Sequence, residues 1–158
     1  MLVSRAYTLL RFLLPGFFLL AAVNAAAAQT RAGVRAGISA DPEQVYIGGH
    51  VDVSEIAKRF WFRPNVEVGF GDHLTVATFN AEFVYRATTR KQWNPYFGGG
   101  PALVVQTFHS GAARNNNTDV GPGFNFVAGV EQRKGLLAEI KIGAIDSPAF
   151  KLGIGWTW

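Results

Sequence analysis

The nine residues FKLGIGWTW, 150–158, decide the fold because apolar side chains occupy every second position up to the last one. This apolar row consists of Phe150, Leu152, Ile154, Trp156 and Trp158. Successive side chains of a β-strand point to opposite faces, so the stretch predicts a strand with one large apolar face and one small or polar face. Chain ends usually fray and avoid large aromatic residues. The end of this chain is instead among its most apolar parts.

The same period-two pattern runs through the chain after residue 30, and no helical spacing replaces it. Glycines and turn formers divide the chain into eight such segments at hairpin spacing, which predicts an all-β, eight-stranded, antiparallel up-and-down barrel. The predicted connections are residues 41–43, 54–59, 71–72, 134–135 and 146–148, a turn around 90–91, and one long polar loop, 109–119. We expect a β-bulge in 74–78. The register of 96–107 is not readable, because Gly98–Pro101 hides the alternation.

Residues 1–28 have the pattern of a cleaved signal peptide. Arg5 and Arg11 give a positive start, an apolar run follows, and small residues end at Ala28, as signal peptidase requires. The run is shorter than the roughly 20 residues of a membrane-spanning helix. We therefore predict that residues 1–28 are removed on export and that residues 29–158 form one domain.

Composition excludes several function classes. The formal net charge of +4 falls to +2 without the two arginines of the signal peptide, which is too mild and too scattered for nucleic-acid binding. Cysteine is absent, so the exported domain must hold together without disulfides, as a closed hydrogen-bonded sheet does. We find no metal-ligand spacing and no nucleotide or phosphate motif, and therefore expect no cofactor and no metal or cofactor-binding residues.

Two barrels of opposite orientation fit the strand pattern. A soluble, lipocalin-like ligand-binding barrel places the apolar row inside, whereas a membrane barrel places it outside against lipid. The polar row is interleaved with glycines, which suits a narrow eight-stranded interior where side chains pack closely on the backbone. The apolar row carries almost no charge, as lipid requires. Its aromatic residues near strand ends resemble an interfacial girdle: Phe60, Tyr85, Phe150, Trp156 and Trp158.

The charges on the polar row are balanced. Five are cations and five are anions: Arg35, Arg63, Arg86, Lys141 and Lys151 against Asp52, Glu67, Glu82, Glu131 and Glu139. An unpaired charge in a closed interior costs several kcal/mol, so the balance predicts an interior charge network. Ordinary alternating surface charge would produce the same count only by coincidence.

These features together resemble the small outer-membrane β-barrels of Gram-negative bacteria, the OmpA/OmpX-like family. The likeness rests on the alanine-rich end of the signal peptide, the eight amphipathic strands over Gly33–Trp158 and the terminal FKLGIGWTW, and Pro95–Gly100 resembles the strand opening Pro-Tyr-x-Gly-x-Gly. The resemblance implies a monomeric transmembrane barrel in contact with outer-membrane lipid and lipopolysaccharide. It also implies that the barrel-assembly machinery reads the row from Phe150 to Trp158 as an assembly signal, with Trp in place of the more usual terminal Phe.

The family keeps both termini in the periplasm, which implies an orientation for this chain. The basic pairs Lys58-Arg59, Arg90-Lys91 and Arg133-Lys134 then lie at the periplasmic end. The short acidic loops and the long loop 109–119 lie outside.

The resemblance implies a porin-like barrel with a structural or surface-interaction role and an interior too full for a wide pore. We expect no enzyme activity and no catalytic residue. One alternative is an outer-membrane hydrolase acting on lipid A, because His109, Ser110 and Asp119 resemble its catalytic residue types. His109 and Ser110 are adjacent, however, and adjacent residues of a strand face opposite sides. A soluble lipocalin-like ligand-binding barrel is the second alternative.

Overall fold

The structure, a computed structural model, describes residues 30–109 and 117–158. The predicted signal peptide lies outside these ranges. The strands are β1 Arg31–Ala40, β2 Gln44–Asp52, β3 Ser54–Ala57, β4 Phe60–Gly71, β5 Leu74–Arg86, β6 Trp93–Phe108, β7 Asn117–Gln132, β8 Leu136–Ile145 and β9 Phe150–Thr157. Within the two ranges there is no helix of the length and apolarity that crossing a membrane requires.

The strands close into a ring of eight positions. Neighbouring strands pair antiparallel in chain order, and β9 pairs with β1 to complete the ring. β2 and β3 count as one of the eight, because they follow each other along the same edge of β4 and are separated only by Val53. The predicted eight-stranded antiparallel up-and-down barrel is confirmed. The predicted connector 54–59 is shorter than expected, since Ser54–Ala57 continues to pair with β4 and leaves only a turn at 58–59.

The apolar row of the strands faces outward and the polar row faces inward. Ile38, Ile47 and Ile154 are 57–66% exposed on the outer surface, whereas charged residues of the alternate row are buried. A lipocalin-like barrel needs the reverse arrangement, so the soluble alternative does not fit this structure.

The predicted bulge in 74–78 is wrong. β4 and β5 pair in unbroken register from Phe60 opposite Tyr85 to Gly71 opposite Leu74. The alternation looks irregular in the sequence because Val76 is an apolar residue that faces inward, where it packs with Ala102 and Val104.

The predicted loop 109–119 is too long at its second end. Asn117–Asp119 belongs to β7 and pairs with Gln106–Phe108 of β6. The last pairing of β7 with β8 joins Gly123 to Ile145, so residues 117–119 pair with β6 but not with β8. They are exposed, and their polar side chains therefore resemble a loop in the sequence. Residues 110–116 of the predicted loop lie outside the described residues.

The barrel has two chemically different ends. The terminal end carries Thr30 and Trp158 and the turns 58–59, 87–92 and 133–135. The loop end carries the turns 41–43, 72–73 and 146–149, the C-terminal end of β6 and the N-terminal end of β7.

Candidate functional site in the barrel interior

The structure places all ten predicted interior charges on the inner face of the barrel. Nine of these residues are buried, and the side chain of Arg86 is 11% exposed. They are brought there by period-two alternation, since each lies on the inward row of its strand. They form two separate clusters, each with equal numbers of cations and anions.

The central cluster consists of Arg35, Glu67, Glu82, Glu139, Lys141 and Lys151. The ammonium nitrogen of Lys141 lies 2.5 Å from Glu67 Oε1 and 2.7 Å from Glu82 Oε1. Lys151 Nζ lies 2.8 Å from the second oxygen of Glu67. Arg35 Nη1 donates to Glu139 Oε1 at 2.6 Å, and its distance to Glu67 Oε1 is 3.6 Å. Three cations therefore face three carboxylates.

The terminal cluster consists of Asp52, Arg63, Arg86 and Glu131, closer to the terminal end. Arg63 Nε donates to Asp52 Oδ1 at 2.7 Å, and its Nη2 lies 3.3 Å from Glu131 Oε2. Arg86 Nη2 contacts the same two carboxylates at 2.8 and 3.1 Å. Sequence reasoning missed one further cation, Arg31, because it precedes the predicted strands, which begin at Gly33. The Arg31 side chain lies at the mouth of the barrel, is 35% exposed and binds Glu131.

Tyrosines and glycines complete the central cluster. Tyr96 donates its hydroxyl to Glu139 Oε2 at 2.7 Å. The Lys151 ammonium lies 5.2 Å from the centre of the Tyr46 ring. That ring occupies space left by Gly37 and Gly153, which pair with each other across β1 and β9. A side chain at either glycine would meet the tyrosine, which explains why the inward row needs glycine here.

Sequence reasoning also missed an interior chain of amides. Asn125 Nδ2 donates to Asn80 Oδ1 at 2.7 Å, and Asn80 Nδ2 donates to Asn65 Oδ1 at the same distance. Lys141 Nζ lies 3.4 Å from Asn65 Oδ1, so the amides join the central cluster. These asparagines share the strand parity of the charges, which is the signal that would have identified them.

The loop end of the barrel is partly covered by the β8–β9 connection. Ser147 and Pro148 are buried there, and a residue larger than glycine at 123 would collide with the Ser147 side chain. Ala149 N donates to Asp41 O at 3.0 Å, which ties the connection to the β1–β2 turn. A cavity of about 430 Å³ remains beside it, lined in part by Leu74, Val76 and Gln106.

The five residues of the predicted assembly signal all face outward. Their exposed fractions run from 38% for Phe150 to 66% for Trp158. Ile154 lies between Ala36 of β1 and Ala138 of β8, so β9 is the strand that closes the ring. Whether the assembly machinery reads this row stays a prediction.

The residues of the hydrolase alternative are not assembled into a site by the described part of the chain. His109 Nε2 lies 3.1 Å from Thr75 Oγ1, and Asp119 Oδ1 accepts from the backbone N–H of Val120. Ser110 lies outside the described residues. Within 30–109 and 117–158 there is no group of three side chains arranged to hold a metal ion.

Comparison with known proteins identifies the fold. No family model and no curated protein matches the chain. Among solved structures it is similar to Neisserial surface protein A (NspA), with a TM-score of 0.64 and 12% identity over 81% of this chain and 94% of that one. It is also similar to the N-terminal β-barrel domain of Pseudomonas aeruginosa OprF, with a TM-score of 0.56 and 12% identity over 82% and 96% of the two chains. The fold of this chain is therefore that of a closed eight-stranded antiparallel β-barrel, the fold that it shares with these two structures.

Proposed function

We propose that this protein is an integral outer-membrane barrel with a structural or surface-interaction role and no enzyme activity. The observation that carries the proposal is the orientation of the side chains: apolar side chains cover the outside of the barrel, and paired charges are enclosed within it. Such a surface is stable in hydrocarbon and unfavourable in water, because lipid accepts apolar side chains and excludes ions. The fold shared with NspA and OprF supports the same location.

The barrel interior argues against a role as a wide pore. An eight-stranded barrel is just wide enough for its side chains to fill. The two charge clusters, the amide chain and Ser147 are buried within this space. We therefore propose a monomer with little steady conductance, in contact with outer-membrane lipid and lipopolysaccharide. Its loop end is the surface offered to a partner.

Cell fractionation combined with a gel-shift measurement tests the proposed location. The full-length chain expressed in a Gram-negative host should sediment with outer membranes, and its migration on a denaturing gel should change when the sample is boiled. The shift is expected because a closed hydrogen-bonded barrel resists detergent until it is heated. Recovery of the protein in the periplasm without detergent, with no shift on boiling, would contradict the proposal.

The terminal aromatic residues provide a prediction about assembly. Replacing Trp156 and Trp158 by serine should leave most of the chain without the boiling-dependent shift, if the row from Phe150 to Trp158 is the assembly signal. Phe126→Ser is the matched control, because Phe126 is an outward aromatic residue, 56% exposed, away from the terminal strand. Equal losses of folded protein in the two variants would refute a specific role for the terminal row.

A further inference from the structure

In the described part of the chain, charges outside the barrel interior separate by sign between the two ends. Of the six carboxylates of the sequence that are not in the interior clusters, five lie at the loop end: Asp41, Glu43, Asp72, Asp119 and Asp146. At the terminal end the only such carboxylate is Glu55, which accepts a hydrogen bond from the backbone of Arg59. The proposed function does not require this separation, and a solvated rim has no reason to sort its charges.

Apart from Arg31, which binds Glu131, the terminal end carries six cations outside the charge clusters, which we name the basic ring: Lys58, Arg59, Arg90, Lys91, Arg133 and Lys134. All six are exposed, and none lies within 4.0 Å of a carboxylate in the described part of the chain. They occupy three turns that join β3 to β4, β5 to β6 and β7 to β8, so they are distributed along the rim rather than gathered in one patch. Unpaired cations repel one another, which indicates an anionic partner.

Two arginines of the basic ring are anchored by contacts with neighbouring residues. Arg133 Nη2 donates to the carbonyl oxygen of Thr89 at 2.9 Å, which links two turns. Arg59 Nη1 lies 3.4 Å from Tyr85 Oη, on the outward aromatic surface. These contacts hold cationic groups at the rim beside the apolar wall. They therefore favour an anion presented at the edge of the membrane over one deep in solution.

Aromatic side chains set the depth of the basic ring. All four tryptophans of the chain lie near the terminal end, and Trp93, Trp156 and Trp158 are 39–66% exposed there. Tyr85 packs between Phe60 and Phe97, with ring centres 5.3 Å apart on each side. Tryptophan and tyrosine collect at the level of lipid headgroups in membrane barrels. The turns just beyond them are then level with the lipid phosphates.

We propose that the basic ring binds the phosphate groups of anionic phospholipids in the leaflet that surrounds the terminal end. Lys and Arg held near an anionic membrane surface each contribute about fivefold in affinity, so several together select lipids by charge. The carboxylates of the loop end repel the same headgroups, which gives the barrel one end that prefers anionic lipid and one that does not. This inference rests on the proposed membrane location and adds a lipid preference to it.

Tryptophan quenching measures this preference directly, because the exposed tryptophans adjoin the basic ring. The full-length mature chain is folded into vesicles of phosphatidylcholine and phosphatidylglycerol in which one or the other lipid carries brominated acyl chains. We expect brominated phosphatidylglycerol to quench the tryptophans more strongly at equal mole fraction, with a preference of about fivefold or more. Inorganic phosphate added at constant ionic strength should leave the preference unchanged, since the ligand is a headgroup at the interface.

A charge variant and a matched control complete the test. The variant Lys58→Gln, Arg90→Gln, Lys91→Gln, Lys134→Gln keeps the two anchored arginines, so it should lower the preference by about fivefold or more without abolishing it. The control Glu43→Gln, Asp72→Asn changes charge at the opposite end and should keep the wild-type preference.

The outcomes separate this inference from the proposed function. Three results would overturn the lipid inference alone. They are a folded wild-type barrel without preference, an unchanged preference in the four-residue variant, and loss of the preference when inorganic phosphate is added. A chain that fails to enter vesicles at all, judged by the boiling-dependent gel shift, would overturn the membrane location as well.

Discussion

Lys141→Met is expected to lower the free energy of unfolding by about 3–5 kcal/mol, because it removes the only cation of the described residues that lies within 4.0 Å of the buried Glu82 carboxylate. Glu67 loses the same partner but keeps Lys151 at 2.8 Å. The uncompensated carboxylate of Glu82 is therefore the main source of the loss. Urea unfolding of the barrel in lipid vesicles, followed by tryptophan fluorescence, gives the change in free energy.

Two further variants show whether the lost charge pair is responsible. Adding Glu82→Gln to Lys141→Met should recover much of the stability, because no ionised group is then left unpaired at this position. Glu139→Ala should be less damaging than Lys141→Met, because Arg35 still has Glu67 at 3.6 Å. A single Lys141→Met variant as stable as the exposed-site control Lys134→Met would show that the central cluster is not closed to water.

Gly37→Ala is expected to destabilise the barrel by about 3 kcal/mol, since an added methyl group has no space to enter. Its Cβ would overlap the carbonyl oxygen of Leu152 and lie 2.8 Å from the Tyr46 ring and from Gly153 Cα. Two of these three neighbours are backbone atoms of β9, so the strand pairing that closes the ring would have to open. The fraction of protein that shifts on boiling, together with urea unfolding, measures the effect.

Gly49→Ala is the matched control for this substitution. Gly49 lies on the neighbouring strand and faces outward, and the nearest atom to an added Cβ is Gly33 O at 3.6 Å, an ordinary contact. We expect a change within about 0.5 kcal/mol of zero. If the two alanine variants were equally stable, close packing on the inward glycines would not explain their presence.

Much of the fold was predictable because it depends on local backbone geometry. The alternation in FKLGIGWTW predicted β9, and the same parity placed Arg35 and Lys141 on the polar row. The glycines and balanced charges of that row then predicted that it faces inward. The errors arose where an inward position is apolar, as at Val76, and where polar residues continue a strand, as at Asn117–Asp119. At both places the residue type does not indicate which way the side chain faces or whether the residue pairs with a neighbouring strand.

The candidate site was predictable as a set of residues but not as a set of contacts. Sequence parity placed ten charges on one row and showed that they balance. It did not reveal that they divide into a central and a terminal cluster, or that Asn65, Asn80 and Asn125 form a hydrogen-bonded chain with them. Those facts depend on how far along the barrel each residue lies.

The sequence by itself determined which side chains share a face of each strand, because the period of two is a property of a single extended strand. It also determined the separation of basic and acidic turns, since hairpins return the chain to alternate ends. Only the tertiary structure decided that Lys141 meets Glu67 and Glu82, which are 74 and 59 residues away along the chain. Such pairs depend on the stagger between strands and on the diameter of the closed ring, which no single strand contains.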